Sequence, residues 1–245
     1  MEQKMIEAAQ GILNWANSNQ PLWAKQTLKP MPRVDERFVI SRTISYDASV
    51  DVSRVVGTDH GCYLDDDWLN LLNYGKKMGN RQKDLADNPS YYLLKNINRS
   101  PVWCLTTFNG GNAWYVDGDA NNRTCIAKFY LDRLIKEGLI QDAVVHGIYA
   151  KDIEVDWDLY RAVNYVQSNY VHFFIQVDSD RVKREDSNEW HKDFYKISVT
   201  ITNHKTRQST KVQTAYELLE WVERQNPPWF FSFKTLKQFI GGVRK

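Results

Sequence analysis

The spacing of hydrophobic and polar residues changes near the middle of the chain. Residues 113–116 are mainly β-favouring, and residues 117–124 are almost all polar. From residue 126 to residue 135, large apolar side chains recur at three- and four-residue spacing, which is typical of a helix with one buried face. The pattern therefore predicts a strand, a polar turn and a helix from Thr124 to about Glu137, ended by Gly138.

The same analysis along the rest of the chain predicts a mixture of strands and helices. It predicts helices at 5–19, after Asp67, at 156–168, after Thr214 and at 230–240, and strands at 38–40, 50–56, 101–108, 143–149, 171–177, 194–202 and 209–213. Residues 76–88 and 178–192 are predicted to be polar surface loops. We expect an α/β (α+β) fold with a mixed sheet and flanking helices. Its predicted segments are an N-terminal helix and arm (1–49), a core (50–150) and a C-terminal strand-plus-helix extension (151–245).

Composition narrows the classes of protein that fit this chain. Hydrophobic residues make up 42% and charged residues 25% of 245 residues, as in ordinary globular proteins. The net charge of +2 gives no global basic field, so contact with nucleic acid would need a local patch. Three cysteines without a C-x-x-C pair argue against a disulfide scaffold or a cysteine zinc site. With no apolar run of about 20 residues, we expect a cytoplasmic protein without a membrane span.

The polar turn carries the residue types that bind phosphate. Arg123 can hold a phosphate through two hydrogen bonds, beside backbone N–H groups that a helix start leaves free. Asn121 and Asn122 offer amide donors, Thr124 a hydroxyl group, and Gly118 a backbone that can approach a ligand closely. The alternative is an ordinary solvated turn, with Arg123 paired to Asp119.

Two carboxylates and two histidines extend this candidate site. Asp117 and Asp119 would repel a phosphate unless a cation lay between them, so the pair suggests a complex of Mg²⁺ with a nucleotide. In that case Asp117, Asp119 and Arg123 are the candidate catalytic residues. His60 and His146 are candidates for the other side of the pocket, although His146 could also be a structural histidine.

Other polar groups have simpler explanations. The run Asp65–Asp67 can begin a helix or bind a metal, and helix capping is the simpler choice. The basic residues at 76–83 and 181–184 are either solvated or a phosphate-contacting patch. Cys125 is expected in the core. The aromatic residues, 13% of the chain, either pack inside or leave rings exposed for base stacking or a protein interface.

The order of these elements resembles the N-terminal domain of the ParB/sulfiredoxin superfamily. There, a strand of the type Q-P-I-x-V precedes a turn of the type Y-x-V-x-x-G-x-R-R or G-N-H-R, and a helix follows. This chain has Pro-Val-Trp-Cys-Leu at 101–105, Trp-Tyr-Val at 114–116 and Asp-Gly-Asp-Ala-Asn-Asn-Arg-Thr at 117–124. Asn121 stands where sulfiredoxins place their cysteine, so thiolate chemistry is not expected. Ala120 replaces the usual glycine.

The resemblance implies a nucleotide- or DNA-phosphate-binding protein. It is closest in style to the plasmid fertility-inhibition (Osa-like) proteins, which are linked to ATP hydrolysis, DNA cleavage and inhibition of conjugation. A Mg²⁺-dependent nuclease or ATPase is therefore one expectation. The alternatives are a non-enzymatic protein that binds a conjugation partner through its aromatic-rich C-terminal half, and a DNA-binding partition-type regulator.

Overall fold

The computed structural model describes residues 2–95, 97 and 99–225. Seven helices and nine strands occur in this part of the chain. The helices are α1 (Glu2–Gln10), α2 (Ile12–Asn19), α3 (Trp68–Tyr74), α4 (Met78–Asp87), α5 (Asn121–Lys136), α6 (Trp157–Asn169) and α7 (Ala215–Gln225). The strands are β1 (Lys29–Pro30), β2 (Val39–Asp51), β3 (Val55–Thr58), β4 (Cys104–Phe108), β5 (Trp114–Asp117), β6 (Val144–Val155), β7 (Phe173–Asp186), β8 (Trp190–Asn203) and β9 (Gln208–Val212). The predicted α/β class with a mixed sheet is confirmed.

The chain divides into two units, each built from separated segments. Within the described residues, unit 1 comprises 2–33, 42–153 and 185–192, and unit 2 comprises 34–41, 154–184 and 193–225. The borders predicted at 49/50 and 150/151 do not match this division. The reason is that β2, β6, β7 and β8 each contribute residues to both units, so no single position in the chain separates them.

Unit 1 has a mixed sheet with the strand order β1-β3-β5-β4-β6. The strand β3 runs parallel to β5, β5 is antiparallel to β4, and β4 is parallel to β6. A hairpin joins β4 to β5, with positive φ at Asn109, Gly110 and Gly111. The carboxyl ends of β3 and β5 therefore meet at one edge of the sheet, where ligands of open α/β sheets commonly bind.

Helix α5 is the centre of unit 1. It contacts α1, α2, α3 and α4, and nearly every residue from 123 to 131 is buried. The prediction of a single buried face was thus too narrow, and the helix begins three residues earlier than expected. Its end is as predicted: Gly138 has φ +70°, and the N–H of Leu139 donates to the carbonyl of Leu134 at 2.8 Å.

Two predicted loops are regular structure. Residues 78–87 form α4, which buries Met78 and Leu85 and presents its polar residues outward. Most of 178–192 belongs to β7 and β8, which turn at Ser187 and Trp190. Both segments are so rich in charge that their apolar pattern is weak. Backbone hydrogen bonding and a few buried side chains are enough to form the elements.

Unit 2 packs α6 and α7 together, and β7 and β9 both pair with β8. Its aromatic residues make ring contacts such as Phe38–Tyr160 and Phe173–Trp221, while Phe174 and Tyr216 are exposed. The helix predicted after Thr214 is α7, and Glu217 N–H donates to Thr214 Oγ1 at 3.2 Å, which caps its start. The predicted helix at 230–240 lies outside the described residues, and binding of a partner by this half of the chain stays a prediction.

Candidate functional site

The turn between β5 and α5 lies at the carboxyl ends of two parallel strands. The strand β3 ends at Thr58, and the N–H of Asp59 still donates to the carbonyl of Val116 in β5, at 3.0 Å. Gly118, with φ +85°, donates its N–H to Asp59 Oδ1 at 3.1 Å. These two bonds fix the turn against the neighbouring loop. Space within 4 Å of the position that a Gly118 Cβ would occupy is open, so a ligand can approach the backbone there.

Asp117 is held by an ammonium group rather than left available to a metal. Its Oδ2 accepts from Lys151 Nζ at 2.7 Å and from Thr106 Oγ1 at 2.9 Å, and Cys104 Sγ lies 3.7 Å away. Burial raises the pKa of this carboxyl group, but the bonds from Lys151 and Thr106 outweigh burial, so the pKa falls below its ordinary value. Asp117 is therefore an ion-pair partner at neutral pH.

Magnesium binding by the predicted Asp117–Asp119 pair stays a prediction, and the two carboxylates have different surroundings. Asp117 forms an ion pair with Lys151 and accepts a hydrogen bond from the Thr106 hydroxyl, while Asp119 is exposed on the turn. Among the residues that the structure describes, no group of three or more His, Cys, Asp or Glu side chains is placed to hold a metal ion. The Asp65–Asp67 run begins a helix: Asp67 Oδ1 accepts the N–H of Asn70 at 2.7 Å.

Arg123 and Thr124, the strongest predicted phosphate ligands, lie in the interior. Arg123 is 6% exposed, and its guanidinium donates to the carbonyls of Pro101 and Val102 at 2.7 and 2.9 Å. The Thr124 hydroxyl accepts the indole N–H of Trp103 at 3.0 Å. Neither side chain can reach a ligand in this conformation. Pairing of Arg123 with Asp119, the alternative from the sequence, does not occur either.

The two asparagines fix the helix start. Asn121 is buried and donates its amide to the carbonyl of Gly118 at 3.2 Å. Asn122 donates its amide to the carbonyl of Lys76 at 2.6 Å, which brings the loop between α3 and α4 beside the first turn of α5. Asn121 and Asn122 are thus positioning residues, and the ligand-facing groups of this turn are backbone atoms.

The two histidines predicted to line the pocket lie on different elements and have different partners. The ring of His60 lies 5.0 Å from that of Tyr63 in the loop after β3. His146 Nδ1 lies 2.7 Å from Ser49 Oγ, and the backbone carbonyl of His146 accepts from Arg99 Nε at 2.7 Å. His146 is therefore a hydrogen-bonded structural residue in β6, while His60 stays close to the turn because Asp59 precedes it.

Sequence reasoning missed two lysines: Lys151, which pairs with Asp117 in the candidate site, and Lys128, which is buried further along α5. Lys151 was not singled out, although it alternates with buried Ile148 and Ala150 in β6 and so faces the other side of the sheet. Lys128 is 4% exposed and donates to the carbonyls of Val52, Ser53 and Val55 at 3.2, 3.2 and 2.7 Å. Its one sequence signal is that it interrupts an apolar run.

The three cysteines are free thiols, of which Cys62 is exposed. Cys125 is fully buried, as expected for a core residue, and its thiol donates to the carbonyl of Trp68 at 3.3 Å. Burial and the nearby charge of Asp117 raise the pKa of Cys104 to about 12, so this thiol is protonated at neutral pH.

No protein-family model, curated protein or solved structure matches this chain. The ParB/sulfiredoxin resemblance therefore stays a prediction from the order of elements and the residues of the turn. Within the described ranges, no helix is long and apolar enough to cross a membrane.

Proposed function

We propose that this chain binds a phosphate group of a nucleotide or nucleic acid at the start of α5. The observation that carries the proposal is the helix start itself: Ala120 occupies the N-cap position, and no side chain caps the helix. The N–H groups of residues 121–123 have no acceptor within the helix, and they lie at the positive end of a 16-residue dipole. A phosphate bound there accepts these hydrogen bonds.

The charges around this helix start favour an anion more than the sequence suggests. Asp117, which looks repulsive in the sequence, is paired with Lys151. Asn122 holds the backbone of Lys76 next to the turn, and Lys76 and Lys77 are both exposed cations. Two exposed acidic side chains still oppose phosphate binding: Asp119 on the turn, and Asp59, whose Oδ1 accepts the N–H of Gly118.

The proposal assigns binding to backbone N–H groups and neighbouring cations, because Arg123 and Thr124 are buried. Backbone donors recognise phosphate oxygens without regard to the base. Nucleotides and nucleic acids therefore share the ligand group that this turn would bind. No hydrolytic step is assigned, since Asp117 accepts hydrogen bonds from Lys151 and Thr106.

The test is calorimetric titration of the wild-type chain and two Asn122 variants with ATP and with inorganic phosphate, each with and without Mg²⁺. Asn122→Asp places a carboxylate in the first turn of α5 and releases Lys76, so we expect at least about tenfold weaker binding. Asn122→Ala loses only the bond to Lys76 and should weaken binding less.

The matched control is Asn164→Asp, which makes the same charge change at an exposed position of α6. It should bind as the wild type does, and circular dichroism should show that all variants are folded. The proposal fails if the wild type binds neither ligand, or if Asn122→Asp and Asn164→Asp have equal affinities.

A further inference from the structure

The outer surface of α4 forms a groove at the end of the loop that Asn122 holds. The groove has a cavity volume of about 450 Å³. We call it the α4 groove, and its lining residues are Lys77, Asn80, Arg81, Lys83, Asp84 and Asp87. Because Met78 and Leu85 are buried on the opposite side of α4, the polar residues that line the groove face solvent.

The charges of the α4 groove are unevenly distributed along the helix. Lys77 is the N-cap residue, with Lys76 directly before it, and Arg81 lies in the first half of α4, while the second half has Lys83, Asp84 and Asp87. Arg81 Nη1 contacts Asp84 Oδ2 at 2.9 Å, so that carboxylate is partly neutralised. The beginning of α4 is therefore basic, and its N-cap residue, Lys77, makes no capping hydrogen bond through its side chain.

An exposed aromatic ring stands beside these cations. Tyr74 is 84% exposed at the end of α3, and only Gly75 separates it from Lys76. A tyrosine ring that is exposed to water does not contribute to the packing of the core, and it is accessible for stacking on a base. Proteins that bind single strands without sequence preference combine such rings with a positively charged groove.

We propose that the α4 groove and Tyr74 bind a single-stranded nucleic acid. This inference rests on the proposed function: the Asn122–Lys76 hydrogen bond places the groove next to the start of α5, so that turn would bind one phosphate of the strand. Helix α4 has 10 residues and is about 15 Å long, which exceeds the extent of one phosphate group. The lysines contact the following phosphates, and Tyr74 stacks on a base.

The test uses fluorescence anisotropy with a labelled DNA strand of about 15 nucleotides and its RNA counterpart, from about 50 to about 200 mM salt. The variants are Tyr74→Ala, Tyr74→Phe and the double variant Lys76→Ala/Lys83→Ala. We expect about tenfold weaker binding for Tyr74→Ala and near wild-type binding for Tyr74→Phe, which keeps the ring. The double lysine variant should bind at least about tenfold more weakly and show a salt slope reduced by about one to two.

Matched controls lie elsewhere on the chain. Lys25→Ala/Lys29→Ala removes two exposed lysines of the N-terminal arm, and Tyr216→Ala removes an exposed ring of α7. Both should leave single-strand binding within about twofold of the wild type. Equal losses in the controls and in the groove variants would overturn the proposal.

The remaining arms identify the ligand and separate the two proposals. Preference for anionic lipid vesicles, or for an acidic polypeptide, over the single strand contradicts this inference. If the groove variants bind the strand normally while Asn122→Asp loses ATP, the groove inference fails and the proposed function stands. If the groove variants lose the strand while Asn122→Asp keeps ATP and phosphate binding, the proposed function fails at α5 and the groove stands.

Discussion

Helices α4 and α5 both begin without a side-chain cap, yet their first residues have opposite surroundings. At α5, the side chains of Asn121, Arg123 and Thr124 are buried and hydrogen-bonded to the protein. At α4, Lys77 and Asn80 are exposed beside a groove. The comparison teaches that the residues which most resemble a ligand-binding motif can build the fold, while an apparently solvated charge run provides accessible cations.

The position of each helix in unit 1 explains the difference. Four helices contact α5, so its polar side chains find acceptors in nearby backbone carbonyls rather than in solvent. Lys128 follows the same principle one turn further along, where its ammonium lies 4.8 Å and 4.9 Å from the ring centroids of Trp23 and Trp68. Helix α4 buries a narrower stripe, and its charges remain in water.

The largest expected effect comes from replacing the inward-facing arginine. Arg123→Ala removes two charge-assisted hydrogen bonds to the carbonyls of Pro101 and Val102 and leaves a cavity beside Trp103. We expect the free energy of unfolding to fall by about 3 kcal/mol. Urea denaturation followed by tryptophan fluorescence measures this loss.

Arg81→Ala is the outward-facing counterpart, since Arg81 forms an exposed ion pair with Asp84. It should change the free energy of unfolding by no more than about 0.5 kcal/mol. Equal stabilities of the two variants, with loss of phosphate binding in Arg123→Ala alone, would contradict the structural role of Arg123 and restore it as a ligand.

A somewhat smaller effect should appear in the pH dependence of stability. Burial lowers the pKa of Lys128 to about 8 in the folded chain, against its ordinary value of 10.5. Between these values the unfolded chain binds more protons at this position, so stability rises with pH. Below about pH 8 the lysine is charged in both states, and its desolvation penalty is fully present.

The measurement is the difference in unfolding free energy between the wild type and Lys128→Met, followed from pH 8 to pH 10.5. Other titrating groups contribute equally to both proteins and cancel in this difference. We expect the difference to change in favour of the wild type by up to about 3 kcal/mol, because of the lowered pKa of Lys128. A difference that is constant over this range would show that the carbonyls around Lys128 keep its pKa near the ordinary value.

The smallest expected effect concerns the exposed acid of the β5–α5 turn. Asp119→Asn removes one negative charge near the helix start without disturbing a buried contact, so phosphate affinity should rise about threefold at low salt. Asp142→Asn, at an exposed position in the loop before β6, is the control. Weaker binding of Mg²⁺–ATP by Asp119→Asn would instead indicate that Asp119 holds a cation.

Much of the local structure followed from the sequence. The strand before the polar turn, the helix after it and the helix that begins after Thr214 rest on propensities and hydrogen bonds between residues close in the chain. Helix α4 was missed because its two buried apolar residues are outnumbered by charges. The separate predictions at 38–40 and 50–56 missed most of β2, since its middle residues are half-exposed and mostly polar.

The candidate site was less predictable than the fold. The sequence correctly placed a polar turn at a helix start, and that position carries the proposed phosphate site. It could not reveal that Lys151 pairs with Asp117, because their contact depends on the β4–β5 and β4–β6 registers. The Asn122–Lys76 hydrogen bond joins residues 46 positions apart, so it could not be predicted from the sequence either.

By itself, the sequence determined the α/β class, the strand–turn–helix unit at its centre and the helix start with its free N–H groups. These features depend on periodicity, turn residues and backbone geometry, which are local properties. Only the tertiary structure decided that Arg123 and Lys128 are buried and form hydrogen bonds inside the protein, while Lys76 and Lys77 face solvent. A charged side chain takes whichever environment supplies its hydrogen bonds, and the carbonyls that receive Arg123 and Lys128 belong to segments 21 or more residues away in the chain.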